Sequence, residues 1–108
     1  MEPNWNLKEN KQLVDAILYL KNEDEAKRFL RDLLTSQEIE EFSKGLEAAR
    51  MLSANTQYTT ITEKTGLSST TVARISKWLN GKFGGYRLVL DRMHHHNPSQ
   101  MRKGLLSA

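Results

Sequence analysis

Cysteine is absent from all 108 residues, which excludes disulfides, thiol nucleophiles and thiolate metal sites together and suits a reducing compartment. No apolar run approaches the roughly 18 residues that a membrane span needs. The opening Met1-Glu2-Pro3-Asn4-Trp5-Asn6 is polar and carries an acid, unlike a secretory leader, so a cytoplasmic protein is expected. No stretch of β-branched alternation suggests a strand. Catalytic signatures are missing too: there is no nucleophile elbow, no glycine-rich phosphate loop after a strand, and no compact set of carboxylates beside the histidines. The paired acids Glu40-Glu41 and Glu23-Asp24-Glu25 read as solvated faces and helix-start charges. His94-His95-His96 invites a metal, but helical neighbours point about 100° apart and cannot all face one ion. The expectation is a protein that is not an enzyme and uses neither cofactor nor metal.

A hydrophobic content of 38% with 27% charged residues belongs to a folded chain, and the length suits one domain over 1–108 rather than two independent cores. The charge is unevenly spread. Residues 1–57 hold eight Lys+Arg against eleven Asp+Glu, whereas residues 58–108 hold eight against only Glu63 and Asp91. A basic half joined to an acidic one is what a nucleic-acid surface on a separate scaffold would look like.

The first fifty-odd residues read as three amphipathic helices. Leu7, Leu13, Val14, Ile17, Leu18 and Leu20 recur at spacings of three and four. Asn22 with Glu25 caps a second stripe of Ala26, Phe29, Leu30, Leu33 and Leu34. Thr35 with Glu38 forms a capping box ahead of Ile39, Phe42, Leu46, Ala49 and Leu52. Residues 53–57 are a loop by composition. Stripes this broad exceed the interior that so short a chain offers, so residues 7–52 are expected to be a homodimer scaffold.

The second half carries the specific signal. Thr60 and Glu63 make a further capping box for a short helix ending near Thr65, Gly66 supplies a residue able to turn with positive φ, and Ser68 or Ser69 caps a helix running to about Leu79. Ile61, Leu67, Val72 and Ile75 fall at the distances from Gly66 at which the two helices of a helix-turn-helix, over 58–79, pack together. On the opposite face Ser69, Thr70, Ala73, Arg74 and Lys77 are small or basic, with no acid between Ser68 and Leu79. Small side chains let a backbone approach base edges, while Arg74 and Lys77 can meet phosphate, or Arg74 guanine. Ser68 at the cap, with Thr59, Thr60 and Lys64 on the first helix, completes the candidate double-stranded-DNA surface. Gly81, Gly84 and Gly85 mark a break before a closing helix over 85–93, and 94–108 reads as a loose tail.

These residues resemble the Trp-repressor superfamily, most closely its YerC/YecD-like branch. The resemblance covers roughly residues 10–93 and rests on Leu33-Leu34-Thr35, Leu46-Glu47-Ala48-Ala49-Arg50-Met51-Leu52, Thr65 through Ile75, Trp78-Leu79-Asn80-Gly81 and Gly85 through Arg92. It implies an all-α, Trp-repressor-like helical bundle that dimerises by intertwining and presents two helix-turn-helix heads to DNA. Its corepressor pocket is degenerate here. Gly45 stands where the family has an arginine; Arg74 and Thr71 are retained; Ile75 and Trp78 replace two small residues. Filling a close-fitting pocket in this way implies regulation without tryptophan, with the Trp78 indole taking part of the ligand's space. The function expected is therefore a homodimeric, sequence-specific transcriptional regulator, a repressor by resemblance. The alternatives are a protein–protein adaptor of the same shape and a repressor gated by another small molecule.

Overall fold

The computed structural model describes residues 2–95, which form six α-helices: α1 (Lys8–Leu18), α2 (Glu23–Leu33), α3 (Ser36–Ser53), α4 (Tyr58–Thr65), α5 (Ser69–Leu79) and α6 (Gly85–His95). No strand occurs among the described residues, in keeping with the all-α reading. No helix among them is long and apolar enough to cross a membrane. The expected tail beyond residue 95, with His96, lies outside the described residues, whereas His94 and His95 belong to the last turn of α6. The chain divides into two compact units, Met1–Leu33 and Leu34–Ala108.

In the first unit α1 ends at Leu18, short of the expected residue 21, because its last turn tightens: Tyr19 N–H is shared between Asp15 O and Ala16 O, and Leu20 N–H donates to Ile17 O. The start of α2 follows at once. Glu25 N–H donates to Asn22 Oδ1 at 2.8 Å, and Lys21 N–H donates to Glu25 Oε1 at 2.9 Å, so the Asn22–Glu25 cap is formed as read. Glu23, Asp24 and Glu25 then lie at the positive end of the helix dipole. Neither helix buries a single residue; Leu13, Val14, Ile17 and Leu18 of α1 and Leu30 and Leu33 of α2 are exposed.

The second unit is organised by α3. Thr35 and Glu38 make the expected reciprocal capping box, Glu38 N–H donating to Thr35 Oγ1 and Thr35 N–H to Glu38 Oε1. The Thr35 backbone bond, with the hydroxyl's help, holds the Glu38 carboxyl below its ordinary range. A lowered folded value means that this cap stabilises above the unfolded carboxylate range and is lost as pH falls through the lowered value. At its other end α3 stops in a Schellman motif: Thr56 N–H reaches Met51 O and Asn55 N–H reaches Leu52 O, both at 3.0 Å, with Asn55 left-handed at φ 62°.

That reversal lays α4 and α5 back on α3. Gly45, Ala48, Ala49 and Met51 are its buried face, and the small residues let the later helices approach closely. Ala48, Ala49, Met51, Ile61, Val72 and Ile75 form the core, with Leu52, Leu67, Tyr86 and Leu90 packed around it. Each large side chain so buried contributes about 1.5–3 kcal/mol. The closing helix α6 follows left-handed Gly84 (φ 63°) and is tied to α5 by Arg87, whose Nη2 donates to Leu79 O at 2.9 Å and to Asn80 Oδ1 at 3.2 Å. A guanidinium on the terminal carbonyl of α5 is also the charge that a helix C-terminus favours.

Candidate nucleic-acid interface

The turn between α4 and α5 occupies residues 66–68 and is held by three local devices. Gly66 is left-handed (φ 76°), its N–H closing α4 on Thr62 O at 2.9 Å. Ser68 caps α5, its Oγ accepting from Thr71 N–H at 3.1 Å and donating to Thr71 Oγ1 at 3.0 Å. The third device is Thr65. Its buried hydroxyl donates to Ile61 O at 2.7 Å and accepts from Leu67 N–H at 3.2 Å, bridging the last turn of one helix to the approach of the next. Sequence reasoning passed over Thr65, although a hydroxyl residue immediately before a turn glycine is a usable signal. Replacing it with the near-isosteric Thr65→Val is expected to strand the Leu67 N–H and cost about 1–3 kcal/mol, read as a lower midpoint in urea with unchanged slope.

The apolar spacing predicted from Gly66 is realised: Ile61 and Val72 are fully buried, Ile75 is 2% exposed, and Leu67 packs beside them. The expected Thr60–Glu63 capping box is not. Helix α4 starts earlier, at Tyr58, behind an extended Gln57 that offers no side-chain cap, so Thr60 lies inside the helix, half-buried. The reason is the Schellman reversal at Asn55, which returns the chain to helical geometry before Thr60 is reached.

With the two helices so fixed, the outward face of α5 carries Ser69, Thr70, Ala73, Arg74 and Lys77, all exposed; Ser68, Thr59 and Lys64 are exposed as well. Thr70, Arg74 and Lys77 follow one another at spacings of four and three along the line opposite the buried Val72, Ile75 and Leu79. Helix α5 contains no acid, and neither Arg74 nor Lys77 enters an ion pair among the described residues. The acids of the first half behave otherwise, Glu23, Asp24 and Glu40 lying 3.7, 3.7 and 3.2 Å from Lys27, Arg28 and Lys44. His95 Nε2 stands 3.4 Å from Asp91 Oδ1, one turn back on α6.

The degenerate-pocket residues divide. Gly45 is buried, and a Cβ built there would meet Tyr86 Oη at 3.6 Å and Ile75 Cδ1 at 3.8 Å. Ile75 and Tyr86 therefore occupy the space over Gly45. Trp78 does not join them: within this chain its indole is 55% exposed. Three residues on from Ile75 the helix has turned about 300°, which carries Trp78 to the edge of the buried stripe. Thr71 is half-buried with its hydroxyl committed to Ser68. A separate open groove of about 1130 Å³ runs between the ends of α3 and α5 and the face of α6, over Leu52, Leu79, Leu90 and Met93. Its two arginines are engaged, Arg50 in a two-pronged bond to Glu47 and Arg87 at the end of α5.

Comparison with known proteins agrees with this geometry. The family model described as "Trp repressor protein" matches residues 8–94. The uncharacterized protein YerC of Bacillus subtilis (strain 168) is 41% identical over 86 residues, covering 80% of this chain and 83% of that one. The crystal structure of a TrpR like protein from Eubacterium eligens ATCC 27750 superposes with a TM-score of 0.77 at 38% identity, over 86% of this chain and 96% of that one.

Proposed function

This chain belongs to the Trp repressor family, and from that premise we propose that it is a cytoplasmic, homodimeric regulator that binds specific double-stranded DNA and represses transcription without tryptophan. The observation that carries the reading is the outward face of α5, a helix without acids, where Arg74 and Lys77 stand exposed beside side chains short enough to admit a base edge. A recognition helix enters the major groove by its N-terminal residues, with basic groups meeting the flanking phosphates.

The dimer rests on apolar surface. Ile17 and Leu18 on α1, Phe42 on α3, and Leu88, Val89 and Met93 on α6 are all roughly half exposed or more, and faces of this kind are buried between chains when one chain cannot bury them. Residues 7–52 supply most of that scaffold. Independence from tryptophan rests on Ile75 and Tyr86 filling the space over Gly45.

Selection from random duplex, followed by fluorescence anisotropy on the enriched site, tests the reading. The expected result is a near-palindrome whose half-sites lie about 34 Å apart centre to centre. Its affinity should fall steeply as salt rises, each phosphate contact contributing a slope of about −0.9. Failure of every duplex to bind at 50–100 mM salt would refute it. Titration calorimetry with L-tryptophan is expected to give no saturable heat; saturation at micromolar ligand would restore a tryptophan-gated switch.

A further inference from the structure

We infer that Arg74 is the specificity-determining side chain of the recognition helix and reads one guanine per half-site, a deepening that rests on the DNA-binding reading above. Sequence discrimination in the major groove comes mainly from side chains that make directed hydrogen bonds to one base: Arg or Lys to guanine, Asn or Gln to adenine, an acid to cytosine. Helix α5, Ser-Thr-Thr-Val-Ala-Arg-Ile-Ser-Lys-Trp-Leu, contains two of these, Arg74 and Lys77, and only Arg74 has the rigid planar fork that matches the two acceptors of guanine.

Its setting suits the task. Arg74 lies along the line opposite Val72, Ile75 and Leu79, the side of the helix that faces a groove floor, one turn after Thr70. The residues beside it are short: Thr70 and Ala73 leave room for the helix to seat deeply enough for a guanidinium to reach guanine O6 and N7. No carboxylate among the described residues holds Arg74 back, in contrast to Arg50, whose guanidinium donates twice to Glu47 at 2.6 and 2.9 Å. Lys77 sits a turn further from the entering end and presents a point charge without a fork, which fits phosphate rather than a base. The hydroxyls of Ser69 and Thr70 accept or donate to any base and discriminate weakly, while the Ala73 methyl suits the methyl of an adjacent thymine. One strong contact per head therefore dominates the operator.

The test uses the full chain and its selected duplex, with each guanine replaced in turn by 7-deazaguanine, which lacks the N7 acceptor. In the wild type, one guanine per half-site is expected to lose about ten- to a hundredfold in affinity on substitution, the range of a good bidentate contact. Arg74→Lys keeps the charge and loses the fork. This variant is expected to bind random duplex with wild-type salt dependence, to bind the selected site about as weakly as wild type binds the substituted one, and to ignore the substitution. If Arg74→Lys retains full discrimination, or if no guanine is sensitive in wild type, the assignment is overturned while DNA binding stands. A chain that binds no duplex overturns the function proposed above and this assignment with it.

Discussion

Replacing Arg74 and Lys77 together by alanine is expected to lower affinity for the selected duplex by at least about a hundredfold while leaving the fold intact. Both side chains are exposed and enter no ion pair among the described residues, and substitutions at such positions usually move stability by about 0.5 kcal/mol or less. Alanine is also the strongest helix former, so α5 persists. On the DNA side a lost bidentate contact is worth about 1–3 kcal/mol, and the proposed dimer would lose it twice. The loss of Lys77 adds a second signature. If it meets phosphate, the slope of log affinity against log salt becomes shallower by about 0.9 per head. Gel shifts and anisotropy across a salt series read both quantities, and thermal melting followed by circular dichroism reports whether the fold survived. A double variant that bound like wild type, with the same slope, would remove this face of α5 from the interface.

The distribution of charge gives that expectation a physical background. Most of the bases of the first half are spent in surface pairs one helical turn apart, Lys11, Lys27, Arg28, Lys44 and Arg50 each facing an acid, as in Lys44–Glu40 at 3.2 Å and Lys11–Asp15 at 3.0 Å. Such exposed pairs contribute little to stability, typically up to about 1 kcal/mol, but they leave the acidic half with little unpaired positive charge to attract a polyanion. The second half keeps Arg74 and Lys77 available, with the nearest acid of the same motif, Glu63, on the other helix.

How much of this could be read from the chain follows from whether the signal was local. The turn of the helix-turn-helix was legible because Gly66 and Ser68 act on their immediate neighbours and the apolar spacing on either side is rigid, whereas the start of its first helix, expected at a Thr60 cap, lies at Tyr58. The Asn22–Glu25 cap and the Thr35–Glu38 box were legible for the same reason. The Thr60–Glu63 box matched the same pattern and failed, because a capping motif works only where the chain is entering a helix, and the chain has already entered α4 at Tyr58, behind the extended Gln57. Small-to-large replacement says that a pocket changes, not which of two large residues a turning helix carries inward; within this single chain Ile75 is buried and Trp78 is 55% exposed. The division at Leu33–Leu34 has no sequence marker, since Leu33-Leu34-Thr35 offers neither glycine nor proline, and the range 7–52 read as scaffold straddles it. Helix α3 turns Gly45, Ala48, Ala49 and Met51 inward, so of the stripe Ile39, Phe42, Leu46, Ala49 and Leu52 only Ala49 is fully buried in this chain, and Phe42 is 60% exposed; the spacing marked a helix without marking which side α4 and α5 would cover.

Truncating Ile61 is expected to cost about 2–5 kcal/mol, the usual range for an isoleucine-to-alanine change in a packed core. Ile61 is fully buried among Ala48, Ala49, Met51, Val72 and Ile75, and three of those neighbours are too small or too constrained to collapse into the vacated space. The two alanines have no side chain to extend, and a helical valine is confined largely to one rotamer. The cavity term therefore adds to the lost transfer energy instead of being relieved. Domains of this size are stable by only about 5–15 kcal/mol, so the loss removes a large fraction of what holds α4 to α3. Because Thr65 donates to Ile61 O and steadies the turn, loosening α4 also loosens the angle at which α5 is presented. DNA affinity should then fall although no contact residue has changed, and adding the selected duplex should raise the melting temperature of Ile61→Ala through binding to the native state alone. The contrasting substitution is Leu18→Ala, at a residue 77% exposed in the single chain. It should leave the head's hydrogen-exchange protection unchanged and show its effect as a shift toward monomer in sedimentation. If Ile61→Ala melted like wild type, the core assigned to the reading head would be wrong.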